Sequence, residues 1–268
     1  MSRATSKPAN TTAAEPNAVT GRAFAVLDTF DSKHRRQTLA QMSRRSALPL
    51  TTTHRLVHEL ERNAALVRRV DGAYEIGSKL WRLGLLASVH SDLRELALPY
   101  MEDVYQFGSG AVQVAVLDGV RCLIVERIAG SRTLAVLSKP GERLPLHATG
   151  VGKVLLAFGS DELQQAVLSS LDRYTENTVT DPTVLRRQLR TIRQHGVAET
   201  GEELAIGATS IAVPIRGNGN QVIAAMGMIA PAGTGSLARI IPTLQVSAAA
   251  LSKRMIASGL GDSPTPGE

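Results

Sequence analysis

The sequence predicts an α+β fold in two unlike parts, and three observations carry that prediction. Within residues 19–77 three short stretches of helical apolar periodicity precede a hairpin signal at Asp71-Gly72. Beyond residue 91, antiparallel hairpin patterns are segregated from helical ones, which points to an antiparallel sheet with helices packed on it, not a parallel doubly wound sheet. The charge divides at the same place. Residues 21–90 hold 12 Lys or Arg against 6 Asp or Glu, whereas residues 91–268 hold 16 against 17.

In chain order, residues 1–18 are rich in Ser, Thr, Ala, Asn and Pro without apolar periodicity and read as a disordered tail. Thr20 is placed to cap a first helix carrying Ala23, Phe24, Val26, Leu27 and Phe30. Thr38 is placed to cap a second, LAQMSRRSA, which should end at Leu48-Pro49 because proline disfavours helical geometry in the residue before it. Thr51 would cap a third helix running to about Ala64. The segment LVRRVDGAYEIG then supplies two strand-like pieces around Asp71-Gly72. Three helices and a hairpin make residues 19–77 a winged helix-turn-helix.

Residues 78–91, SKLWRLGLLASVH and Ser91, read as a linker helix whose wide apolar face is too large to leave in water, so a homo-oligomer is expected. The second domain, residues 92–258, opens with a helix through Tyr105. Strands AVQVAVLD and VRCLIVERI follow, joined at Asp118-Gly119, and then the loop KPGERLPLHATG. Helices are expected near Val151 to Phe158, Asp161 to Leu171 and Pro182 to His195, strands near Thr209 to Ile215 and Gln221 to Ile229, and a last helix from Gly235 to Ser258. Residues 259–268 read as a second tail.

Composition excludes several classes. The longest apolar runs fall short of the ~20 residues that span a bilayer, and no apolar signal core opens the chain, so no membrane partner and a cytoplasmic location are expected. The single cysteine, Cys122, rules out an internal disulfide framework and sits in strand-like apolar surroundings. A basic block of domain size beside a near-neutral remainder is an electrostatic footprint for a polyanion such as double-stranded DNA.

The stretch LPLTTTHRLVHEL, residues 48–60, raises the question of a metal site, because His54 and His58 share the i, i+4 spacing of zinc proteases. Arg55 stands where that chemistry needs a glutamate, and a permanent cation opposes metal binding, so no metal is expected. At 100° per residue, Thr51, Thr52, Arg55, His58, Glu59 and Arg62 gather on one face, with Thr53, Val57, Leu60 and Ala64 opposite. One face is core; the other suits a recognition helix. The DNA-binding candidates are therefore Thr38, Arg44, Arg45, Thr51, Thr52, His54, Arg55, His58, Arg68 and Arg69, with the arginines outside the helix reaching backbone phosphate or the minor groove.

Two further signals are weaker. GVGK, residues 150–153, resembles the end of a phosphate-binding loop, but His147 and Val154 occupy places where that loop needs Gly and Ser or Thr. Its glycines still allow a small anion to approach bare N–H groups at a helix start. Glu202 and Glu203 are adjacent carboxylates without a nucleophile and base beside them, so capping or inter-subunit pairing is expected of them, and no enzyme and no cofactor.

The order and wording of these segments resemble the IclR family of bacterial transcriptional regulators. TLAQMSRRSALPLTTTHRLVHELERNAALVRRVDGAYEIGSKLWRLG, residues 38–84, is similar to the family's DNA-binding domain and linker. PGERLPLHATGVGKVLLAF, then IRQHGVAETGEELAIGATSIAVPI, then a glycine-bearing turn and a strand ending in Ala-Pro, follow in the family's order. The resemblance implies a GAF-like effector-binding second domain, dimers that often pair into tetramers, palindromic operator DNA and a small-molecule effector, frequently a carboxylic acid. Carried over by matching position, the effector-binding residues would be His147, Gly150, Val151, Thr200, Ser210, Gly227 and Ile229.

Members that hold small keto-acids present an Asp near Thr200, a Cys at Ser210 and serines at Gly227 and Ile229. Neutral or apolar groups here argue for a larger, more apolar effector, an aromatic acid or a neutral derivative, because a buried polar group without partners is costly. Leu50 replaces a basic residue common in relatives and removes one phosphate contact per subunit. The expected function is a ligand-responsive repressor of a catabolic operon. The alternatives are an activator of the same family, an architectural DNA-binding protein without effector, and an enzyme with an accessory basic domain.

Overall fold

The computed structural model describes residues 19–31, 34–84, 86, 91–108, 110–130, 138–233 and 237–261. The chain divides into two compact units, residues 1–87 and 88–268. The expected N-terminal tail, residues 262–268 and most of the linker beyond Gly84 lie outside the described residues.

The first unit is built from α1 (Val19–Leu27), α2 (Leu39–Ser46), α3 (Leu50–Arg62), β1 (Leu66–Arg68), β2 (Tyr74–Ile76) and α4 (Ser78–Gly84). Val26, Met42, Leu56, Val57, Leu66 and Tyr74 form its core, one or two from each element of the helix-turn-helix and hairpin. Thr38 caps α2 through a full capping box: its N–H donates to Gln41 Oε1 at 2.7 Å while its hydroxyl accepts from the Gln41 N–H at 3.4 Å. A strand-like contact also escaped the sequence reading, because buried Gln37 exchanges backbone hydrogen bonds with Tyr74 and donates from Nε2 to the Thr29 carbonyl at 2.8 Å.

Several expected boundaries shift for local reasons. Thr20 lies inside α1 and does not cap it. The second helix ends before Leu48-Pro49, at a left-handed Ala47 (φ 55°), and the Ser43 hydroxyl pins the turn by donating to the Leu48 carbonyl at 2.7 Å. Pro49, not Thr51, occupies the N-cap of α3, and it supplies no side-chain hydrogen bond. Ala64 is exposed past the end of α3 at φ 55°, so the core place assigned to it belongs to Leu56. The hairpin turn closes between Arg69 and Ala73, with only Gly72 at positive φ (79°), a three-residue loop in which a glycine takes the left-handed position.

The second unit contains α5 (Ser91–Phe107), β3 (Ala111–Asp118), β4 (Arg121–Ile128), β5 (Arg143–Pro145), α6 (Gly150–Phe158), α7 (Asp161–Leu168), α8 (Pro182–His195), β6 (Ala198–Gly201), β7 (Ala208–Arg216), β8 (Val222–Pro231) and α9 (Ile241–Ala257). All strands pair antiparallel in one sheet of order β5-β4-β3-β8-β7-β6. The sheet is sandwiched between helical layers. Alternation on β3 sends Val112, Val114 and Val116 toward α5 and α9, and Ala115 toward α6 and α8.

Strands β5 and β6 were not foreseen; each is an edge strand of three or four residues, too short for a period-two pattern to stand out. The expected tail from residue 259 is also revised, since Leu260 packs on the core and the Gly261 carbonyl accepts from the Asn218 N–H at 2.7 Å. The last helix is described from Leu237, as a 3-10 turn running into α9 at Ile241.

Replacing Thr38 by Ala removes the hydroxyl that accepts from the Gln41 N–H, leaving only the backbone half of the capping box, and should lower the stability of the first unit by about 1 kcal/mol, whereas Thr20→Ala should not lower it. Urea denaturation of the two variants followed by circular dichroism checks this.

Candidate nucleic-acid interface and effector cavity

The surface of α3 is sorted as its periodicity requires. Thr53, Leu56 and Val57 are buried, and the Thr53 hydroxyl donates to the Pro49 carbonyl at 3.1 Å, while Thr51, His54, Arg55, His58 and Glu59 are exposed and Thr52 is half-buried. Because no side chain caps α3, the N–H groups of its first turn stay available to an anion. Arg44 and Arg55 are exposed and have no acceptor among the described residues. His58 Nδ1 lies 3.9 Å from Glu61 Oε2. Among the described residues no three His, Cys, Asp or Glu side chains gather as metal ligands.

The other candidates are more engaged. Thr38 is occupied by its cap. Arg45 reaches back across the unit, donating from Nε to the Thr29 carbonyl at 3.0 Å and from Nη2 to Asp31 at 2.7 Å, so its guanidinium braces the α1–α2 connection and is not held out as a phosphate contact. Arg69 pairs with Glu75 at 2.7 Å, and Arg36 pairs with the same carboxylate. The Arg69 hydrogen bond is the main reason that Glu75 is held below the ordinary carboxylate range. Arg68 lies over the Tyr74 ring at 5.8 Å, beside Val70, fully exposed at the hairpin tip.

In the second unit a cavity of about 30 Å³ lies between the start of α6, the sheet and the β6–β7 connection. Gln113, Thr149, Thr200, Ser210 and Ile229 line it together with Leu204 and Ala205 of that connection. Its polar wall is internally paired. The Thr200 and Ser210 hydroxyls are 2.6 Å apart, and Ser210 Oγ accepts from the Gly150 N–H at 3.2 Å. Thr149 caps α6 by accepting from the Gly152 N–H at 3.1 Å, so two of the N–H groups expected to be bare at this helix start, those of Gly150 and Gly152, are already bonded.

Of the seven effector candidates, the structure brings Thr200, Ser210 and Ile229 to the cavity and Gly150 against Ser210. His147, Val151 and Gly227 are placed elsewhere. Buried His147 bonds the Asp172 carbonyl at 2.9 Å and packs its ring on Tyr174. Val151 belongs to the core beneath the sheet. Gly227 lets α6 approach, because a Cβ there would meet the Ile211 carbonyl at 2.8 Å and Val151 Cγ1 at 3.0 Å. A wider open groove of about 600 Å³ runs between the 217–220 turn and α9, over Pro214 and Ala249.

Lys153, which the sequence reading left without a partner, is paired within the chain. Lys153, fully buried, holds Glu203 with Nζ at 2.6 and 2.8 Å from its two oxygens and Gln188 at 2.9 Å. Burial pushes the lysine pKa down, and Glu203 opposes that push. Glu202, at φ 54°, accepts from the Gly207 N–H at 2.6 Å and closes the turn from within. Of the two roles expected of these glutamates, Glu202 takes the capping one within its own turn, and Glu203 pairs with a lysine of the same chain. The signal was present: a lysine in the otherwise apolar helix GVGKVLLAF has to find a counter-charge.

Comparison with known proteins matches the model of the IclR helix-turn-helix domain over residues 19–69 and that of the bacterial transcriptional regulator IclR C-terminal domain over residues 86–253. The HTH-type transcriptional regulator KipR of Bacillus subtilis is 30% identical over 205 residues, 76% of this chain and 82% of that protein. The HTH-type transcriptional repressor AllR of Salmonella typhi is 28% identical over 227 residues, 82% and 84% of the two chains. Among solved structures, an IclR homolog from Microbacterium hydrocarbonoxydans complexed with 4-hydroxybenzoate superposes with a TM-score of 0.78 at 36% identity, covering 88% of this chain and 98% of that one.

Lys153→Met alone strands the Glu203 carboxylate and should destabilise the second unit by roughly 3–5 kcal/mol, with Lys153→Met/Glu203→Leu recovering most of the loss in denaturant melts. Cys122, whose thiol burial pushes up to about 11, should resist iodoacetamide at pH 8 in the native protein and react once urea unfolds it, as read by intact mass.

Proposed function

This chain belongs to the IclR family of bacterial transcriptional regulators, and on that premise we propose that it is a ligand-responsive repressor of a catabolic operon. The observation that carries the reading is the surface of α3, with exposed Thr51, His54 and Arg55 on the face opposite buried Thr53, Leu56 and Val57. Such a face enters the major groove with its first turns, where uncapped N–H groups and hydroxyls meet phosphate and an arginine reads a guanine edge. Arg44 and Arg68 flank it as backbone contacts, and Arg45 acts indirectly, by bracing the helix pair.

The exposed apolar residues Trp81, Leu83 and Leu86, on α4 and just beyond it, support a homo-oligomer in which a second copy covers them, as a two-fold operator requires. We assign the effector to the cavity lined by Thr200, Ser210 and Ile229. Its lining mixes aliphatic side chains with hydroxyls that are already bonded, Thr200 to Ser210, Ser210 to Gly150, Thr149 to Gly152 and Thr209 to Ala230. An aromatic acid or a neutral derivative suits it better than a small keto-acid, and the 4-hydroxybenzoate held by the Microbacterium relative supports that class. A cavity of about 30 Å³ holds one or two waters, far less than the several hundred Å³ of an ordinary ligand site, so an effector enters by lifting the β6–β7 connection.

Gel shifts with the DNA upstream of the protein's own gene, repeated with benzoate-like and keto-acid ligands, test the reading. A specific band that weakens with an aromatic acid is expected, and no specific band at any salt concentration would sink it. Tight binding of glyoxylate or pyruvate without any response to benzoate-like compounds would remove the aromatic assignment alone. Arg55→Ala should weaken specific binding by about 1–3 kcal/mol, more than His54→Ala does, in the same assay.

A further inference from the structure

We propose that Gln113 and Arg127 form the carboxylate-recognising end of the effector cavity. The inference rests on the reading of that cavity as the effector site and names the chemistry of its polar end. Gln113 lies on the cavity-facing side of β3, with Ala115, while its neighbours Val112 and Val114 face the opposite helical layer. It is 2% exposed. A glutamine in the middle of an apolar sheet face is costly unless its amide is satisfied. Only half of it is. Ser138 Oγ donates to Gln113 Oε1 at 2.7 Å, and the amide nitrogen has no acceptor among the described residues.

Directly across the ladder from Gln113 stands Arg127 of β4. Opposed residues in an antiparallel pair project to the same side of the sheet, a few ångströms apart at Cβ. Arg127 is not itself part of the cavity lining; it is half-buried next to Gln113 in the ladder, and its Nε is shut off from solvent with no acceptor among the described residues. Glu142 acts on it electrostatically, but that carboxylate also accepts from the Lys139 N–H at 3.0 Å. One sheet face therefore carries a carboxamide and a guanidinium side by side, each with N–H donors left over.

The rest of the cavity offers no comparable surplus. The Thr200 and Ser210 hydroxyls bond one another, Thr149 is bonded to Gly152 and to the Pro145 carbonyl, and Lys153 is neutralised by Glu203. Leu144, Ala148, Leu204, Ala208 and Ile229 supply only hydrocarbon. A ligand with an acceptor-only anionic end and an apolar body completes this arrangement: the carboxylate accepts from Gln113 Nε2 and from the guanidinium, and the body lies against the aliphatic wall. A neutral hydroxyl or amide end would leave the guanidinium with only the longer-range charge of Glu142.

Calorimetric titration of the full chain with benzoate, cyclohexanecarboxylate, succinate and pyruvate, and with benzamide as the uncharged control, tests the assignment in wild type, Gln113→Glu and Arg127→Gln. At least one of the four acids should bind, and each substitution should weaken it by about 10- to 100-fold, the loss of a charge-assisted hydrogen bond, while binding of upstream DNA without ligand is unchanged. Should Gln113→Glu fail to fold, the half-exposed Arg127→Gln carries the test by itself. Acids that bind all three proteins alike, failure of all four acids to bind wild type, or benzamide binding as tightly as benzoate would each overturn the proposal. The two readings separate cleanly. Succinate or pyruvate binding with the predicted dependence, without benzoate, would keep this site and discard the aromatic effector; benzoate binding indifferent to both substitutions would do the reverse.

Discussion

A lysine ammonium buried against a sheet has to find its counter-charge inside the protein, and much of the second unit is arranged by that requirement. Lys153 projects from α6, the helix that lies directly on the sheet, and its partner Glu203 sits in the connection from β6 to β7. Leaving either charge alone in that interior costs several kcal/mol, so the pair fixes where the connection runs. Thr178 adds a second tie by donating to the Glu203 carbonyl at 2.7 Å, and Thr175 donates to the Glu202 carbonyl at the same distance. With Glu203 so anchored, Leu204 and Ala205 come down over the cavity.

Close approach on the other side completes the enclosure. Gly227 lets Val151 seat against β8, and a side chain at Gly150 would collide with Ser210 Oγ at 2.8 Å. Position 150 therefore lends its backbone N–H to Ser210, and the start of α6 packs as a wall against β7. The same constraints explain the small volume. Tight packing and an anchored cover leave room for little until the cover moves, and the energy to move it has to come from ligand contacts that the closed form lacks. The donors of Gln113 and Arg127 that meet no acceptor among the described residues would be a source of such contacts.

Elements with strong local signals were legible in the sequence. The span expected for α8, Pro182 to His195, is the one observed, and Thr38 caps α2 as its place before the helix implies. The angular sorting of α3 placed Thr53 inward correctly, since a period of 3.6 leaves little freedom to a helix with one apolar face. What escaped was set by tertiary contact. Pro49 displaced Thr51 as the cap, Gln37 joined the hairpin across the chain, and β5 and β6 exist only because longer strands stand beside them. In the site, carry-over by position placed Thr200 and Ser210 at the cavity but could not see that His147 turns to Asp172, nor that Arg45 turns inward to Asp31. Gln113 gave one signal, an amide inside the run AVQVAVLD, whose meaning depends on which side of the sheet holds a cavity.

The central claim is that a small acid enters under the β6–β7 connection and meets the sheet at β3. Hydrogen exchange of the full chain with and without saturating benzoate measures this directly, because amide protection reports local opening. Slower exchange in residues 202–209 and in β3 on adding ligand is the result this account predicts. Protection confined to the 217–220 turn and α9, around the wider groove, with residues 202–209 unaffected, would contradict it.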